Sequence, residues 1–170
     1  MAEQTPERPV LELPRSGFEM ACEALSLAGL VACLGLFAVF WPQLPPTIPT
    51  HFNLAGQADD FGSKAVFVVF PLMATLIYGL ILAISFFPHS YNYPWAISAA
   101  NAPVQYRLAR SLLSWVKSCA IWVMAALAWM TARTALGATD VALPNSLLLG
   151  LGLALVGGIA VYFVTSYRSR

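Results

Sequence analysis

Hydrophobic positions along this chain fall into four long runs, and the polar residues gather between them. The first run lies between Glu23 and Pro42 and closes on Trp41. The second extends from Ala65 to Phe87, with Pro71 near its start. The third covers Leu112 to Leu136, interrupted only by Lys117 and Arg133 near its ends, and the fourth covers Leu147 to Ser166. Crossing the hydrocarbon core of a bilayer takes about 20 helical residues. Backbone groups in lipid must bond within their own segment, which favours helices over a barrel. The pattern therefore predicts an all-α membrane protein with four transmembrane helices, spanning residues 22–41, 65–87, 112–136 and 146–166 of one domain over 21–167. A flexible tail over 1–20 precedes them, and a structured loop over 42–64 joins the first two.

Composition supports this reading. Of 170 residues, 59% are hydrophobic and 10% charged, with a mean hydropathy of +0.71. That is too little charge for a surface in water, so most of the exterior is expected to face the lipid bilayer. The net charge of +1 gives no reason to expect nucleic acid as a partner. Cys22, Cys33 and Cys119 sit in or beside apolar runs and read as packing residues, with no disulfide framework and no metal cluster. The first 20 residues are polar and carry Glu3, Glu7, Glu12 and Glu19, unlike a secretory signal, so the tail is expected to stay with the mature protein.

Charge also orients the spans. Seven of the nine Lys and Arg lie on one side: Arg8, Arg15, Arg107, Arg110, Lys117, Arg168 and Arg170; Lys64 and Arg133 lie on the other. The positive-inside rule then places both termini in the cytoplasm and the 42–64 loop outside. Ahead of the third span, Asn101 and Pro103 suit a helix start, which makes that helix longer than the membrane is thick. Arg107, Arg110 and Lys117 share one of its faces, read as an inner basic face against anionic lipid or, failing that, a docking site for a cytoplasmic partner. On the fourth helix, Gly150, Ala154, Gly157 and Gly158 share a face suited to close packing, within the bundle or in a homodimer.

The loop holds the densest polar chemistry. Pro42, Pro45, Pro46 and Pro49 forbid helix at its start, and Ile48 to Asn53 can run extended. Turns are expected at Asn53-Leu54-Ala55-Gly56 and at Asp60-Phe61-Gly62. Ser63 suits a helix cap, and Lys64 is placed to pair with Asp59 or Asp60. Three readings of His51, Asn53, Gly56, Asp59, Asp60, Gly62 and Lys64 stand open: a self-bonded cap over the bundle, a binding surface for an extracellular peptide, lipid or small ligand, and a catalytic or metal site. One histidine with two adjacent aspartates is a poor zinc set, and no base–nucleophile–orienter pattern is visible. No catalytic residue, metal or cofactor is therefore expected. The middle of every span lacks ionisable residues, which argues against ion-coupled transport.

The string Leu44-Pro45 through Lys64, of the form LPxxIPTHFNxxGxxDxxGSK, resembles the membrane family termed domain of unknown function 1648. The resemblance continues through Phe70-Pro71-Leu72, Asn92-Tyr93-Pro94 and Gln105-Tyr106-Arg107-Leu108-Ala109-Arg110. The same domain occurs in Sdp-type immunity proteins, which protect a bacterium from its own secreted toxic peptide. The resemblance implies residence in the bacterial cytoplasmic membrane and recognition at His51, Asn53, Gly56, Asp60 and Lys64. The resulting expectation is a non-enzymatic protein whose outer loop recognises, or gives immunity to, a toxic peptide or ligand. The alternative from another class is a small transporter or an accessory subunit of a membrane transport system.

Overall fold

A computed structural model describes residues 8–53, 55–138 and 142–170, with backbone alone for 142–144. The chain runs through helix α1 (Gly17–Phe40), strands β1 (Thr47–Phe52) and β2 (Ala58–Ser63), a 3-10 turn (Lys64–Val68) and helix α2 (Val69–Ile84). A second 3-10 turn (Pro88–Ser90) then leads to α3 (Ala102–Ala135) and α4 (Ala142–Arg168). Four helices are long and apolar enough to cross a membrane, counting the turn at Lys64 with α2. The two-stranded sheet is an addition to the all-α expectation.

Helix α1 starts earlier than its apolar run because a capping box fixes it. Ser16 Oγ accepts from the Glu19 N–H at 3.2 Å, and Glu19 Oε2 accepts from the Ser16 N–H at 2.7 Å. Pro42 follows the last turn and cannot extend it. Pro103 occupies the first turn of α3, where its missing N–H costs nothing. That helix has 34 residues, about 50 Å at 1.5 Å per residue, and α1, α2 and α4 all pack against it.

Two seams on α3 are built alike. A Cβ on Gly29 of α1 would come 3.0 Å from Trp122 Nε1, and that indole donates to the Leu25 carbonyl at 3.1 Å. A Cβ on Gly158 of α4 would come 2.4 Å from Trp115 Cδ1, and Trp115 donates to the Ala154 carbonyl at 3.0 Å. In each case an indole lies over a glycine and bonds the carbonyl four residues earlier, so a side chain at the glycine would exclude it. The expected packing face of α4 is thus only half used. The line Ala154–Gly158–Tyr162–Ser166 faces α3, whereas Gly150 lies one turn before its start and Gly157 beside it, with nothing within 4 Å of a Cβ built on either.

Residues 8–16, the end of α4 and the 88–101 segment gather at one end of the bundle. Residues 8–16, expected as part of a flexible tail, are held there. Arg8 donates to the Tyr91 carbonyl, Tyr106 to the Pro9 carbonyl at 3.1 Å, and Arg110 to the Leu13 and Pro14 carbonyls at 3.0 and 3.1 Å. Leu11 and Leu13 pack on buried Ile97, Ala102 and Tyr106. Residues 1–7 of that tail lie outside the described residues. Trp95 and Gln105 tie down the end of α4 through Ser166.

Candidate functional site

The β-hairpin forms the opposite end of the bundle, and its base is plugged into the core. Leu44 and Ile48 are buried with Phe67 of the 3-10 turn and with Ala128 and Ala132 of α3. Small alanines on α3 leave room for them. Strands β1 and β2 pair antiparallel, with Ile48 opposite Gly62, His51 opposite Asp60 and Phe52 opposite Ala58. The register is irregular on both sides of His51. A Cβ on Gly62 would come 2.9 Å from Thr50 Cγ2, so the strands approach closely there because the position is glycine.

The turn is organised by Asn53. Its Oδ1 accepts from the N–H groups of Ala55 and Gln57 at 2.9 and 3.0 Å, and its carbonyl accepts from the Gly56 N–H at 2.8 Å. Gly56 has φ +75°, where a Cβ would be strained and would strike Asn145. Asn145 of α4 donates to the Ala55 carbonyl at 3.2 Å, anchoring the tip. Leu54, part of the expected turn, lies outside the described residues.

The seven candidate residues divide into separate groups. His51 Nδ1 meets Asp59 Oδ1 at 2.5 Å, both side chains being well exposed, at 66% and 45%. Asp60 accepts from the Phe61 N–H at 2.9 Å. The expected turn at Asp60-Phe61-Gly62 is instead part of β2, because pairing with β1 extends it. Lys64 is not paired with either aspartate. Its Nζ sits 4.9 Å from the centroid of the Trp41 ring, brought there by the Lys64 N–H to Pro46 carbonyl bond. Ser63 Oγ does accept from the Ala65 N–H, in the expected capping position. Among the described residues, no three His, Cys, Asp or Glu side chains converge as metal ligands. The hairpin offers hydrogen-bonding strand edge, two carboxylates and the exposed ring of Phe61.

At the other end lies a site the sequence reading missed. Arg110, expected on a lipid-facing basic face, is buried and forks onto buried Glu19 through Nε and Nη2 at 2.5 and 3.0 Å. Lys117 is also buried, and its Nζ reaches Glu23 Oε2 at 2.7 Å. Tyr78 donates to Glu23 Oε1 at 2.6 Å, and Arg15 stands 3.5 Å from Oε2. Further along the α1–α3 seam, Ser26 and Ser118 bond to each other and to the Cys22 carbonyl. Of the three basic residues, only Arg107 is exposed. The burial of Arg110 and Lys117 has a simple cause. Leaving Arg110 and Lys117 in the seam neutralises Glu19, which has no other cation, and completes the set around Glu23. The signal was present as Glu19 and Glu23, four apart on one face of α1. Nearby, burial pushes the Tyr91 phenol up to about 12 and raises that of Tyr93 as well.

Residues 28–75 match the family model described as Domain of unknown function (DUF1648). The matched segment comprises just over half of α1, the whole hairpin and the start of α2, so the match coincides with the hairpin end. The Glu19, Glu23, Arg110 and Lys117 network lies outside it. An uncharacterized protein of Archaeoglobus fulgidus is 36% identical over 56 residues, which is 32% of this chain and 31% of that protein. The chain thus aligns with about a third of that relative's length. No solved structure matches the chain.

Proposed function

We propose that this is a non-enzymatic, multi-pass protein of the bacterial cytoplasmic membrane, with both termini inside, whose hairpin recognises a secreted toxic peptide outside the cell. One observation carries the reading. Strand β2 has β1 on one side and, among the described residues, no strand on the other, while the hairpin base is locked into the bundle through Leu44 and Ile48. A fixed, free strand edge can accept an extended peptide by adding a strand. The carboxylates of Asp59 and Asp60 favour a basic partner, and the 58%-exposed Phe61 supplies an apolar contact. The resemblance of the hairpin string to the domain found in Sdp-type immunity proteins supports the same reading, as does the excess of Lys and Arg at the terminal end.

The test compares a deletion strain with strains carrying the wild type or His51→Ala/Asp60→Ala at matched membrane levels. Each is challenged with the peptides its own species secretes. Wild type is expected to raise the tolerated dose and the double variant to fall back toward the deletion. Equal sensitivity of all three strains would sink the proposal.

A further inference from the structure

The groove between α1 and α4 has a floor of α3 tryptophans. Trp115, Trp122 and Trp129 recur every seven residues and so lie on one side of that helix. Two cavities open along the groove. One, of about 290 Å³, is lined by Phe18, Ser111, Trp115, Gly158 and Thr165 among others. The other, of about 240 Å³, lies toward the hairpin and is lined by Leu36, Trp122, Trp129 and Leu147 among others. In a bilayer, both open on the acyl chains.

The cavity nearer the termini has hydroxyls in an apolar lining and two arginines one helical turn beyond it. Ser111 and Thr165 line it. Arg107 lies four residues before Ser111 on α3, and Arg168 three residues after Thr165 on α4, each one turn closer to the terminal end on the same side of its helix. Both arginines are exposed. Seven of the chain's nine cations are engaged: Arg8 on carbonyls, Arg15, Arg110 and Lys117 on glutamates, and Lys64, Arg133 and Arg170 over aromatic rings. Arg107 and Arg168 have no such partner among the described residues.

We infer that this cavity binds one anionic diacyl phospholipid, its chain against Trp115 and its phosphate between Arg107 and Arg168. The groove supplies apolar contact for the chain, and the two free guanidiniums suit a phosphate at headgroup depth. This site is separate from the hairpin and stands or falls independently of peptide recognition.

Native mass spectrometry of the full chain, taken from bilayers of equal phosphatidylglycerol and phosphatidylcholine, reads the site. Wild type should retain one phosphatidylglycerol in clear preference. Replacing Arg107→Gln/Arg168→Gln should lower that preference by about fivefold per arginine. Ser111→Leu, which fills the cavity and leaves both charges, should lower retention of the bound lipid. Adducts in the bulk lipid ratio for wild type would overturn the proposal, showing annular lipid only. So would a preference that survives the double arginine variant, or retention unchanged by Ser111→Leu.

Discussion

Glu19 shows how one side chain can hold several elements at once. It closes the capping box of α1, takes a two-pronged bond from Arg110, and is only 3% exposed. Removing one partner of such a pair leaves a buried charge without compensation, which costs about 3–5 kcal/mol. Glu19→Gln is therefore expected to destabilise the protein by about 3 kcal/mol in denaturant unfolding from detergent micelles. Glu19→Leu/Arg110→Met, which removes both charges, should recover most of that loss. A neutral single variant would mean the pair is not desolvated. Residue-scale chemistry was the least legible part of the sequence. The spacing of Arg107, Arg110 and Lys117 defined a helical face, but its direction depended on Glu19, which read as part of a polar tail, and on Glu23, which read as the edge of the first span. Lys64 likewise adjoins Asp59 and Asp60 in sequence, yet meets the ring of Trp41, which only the folded hairpin brings near.

At the scale of elements, long uncharged runs were legible because a helix in lipid needs little else. The second strand was not. Asp59-Asp60-Phe61-Gly62 is poor in strand-forming residues, and its extended form comes from pairing with β1. Small residues on α4 announced a packing face, but the indoles of α3 decided which of them are used. Gly158→Val should therefore lower stability by about 1–3 kcal/mol, since the branched side chain would displace Trp115 and the carbonyl bond it makes. Gly150→Val, where a Cβ meets nothing within 4 Å, is the matched control and should not disturb the α3–α4 seam. Thermal unfolding of both variants in the same detergent checks the contrast. Equal losses would place the seam elsewhere.

For the molecule as a whole, the proposed orientation has a convenient assay in its own thiols. Cys22, Cys33 and Cys119 are all buried, so cysteines introduced at exposed sites can be labelled over a low background. With a membrane-impermeant maleimide on intact cells, Asp60→Cys at the hairpin is expected to react. Ser169→Cys at the terminal end should react only after permeabilisation. The reverse pattern would turn the protein over and remove the hairpin from any extracellular ligand. The two ends also differ in kind: the segment that matches the DUF1648 family model lies at the hairpin, while the ionic seam is assembled from residues on either side of that segment.

That seam also imposes an order in time. Arg110 is 91 residues downstream of Glu19, and Lys117 is 94 downstream of Glu23. At a synthesis rate of about 5–20 residues per second, the glutamates of α1 wait on the order of ten seconds for their partners to leave the ribosome. During that interval the first helix carries Glu19 without its cation and Glu23 with Arg15 alone near its starting end. It can rest with that end among the headgroups and complete its docking only when the third helix arrives.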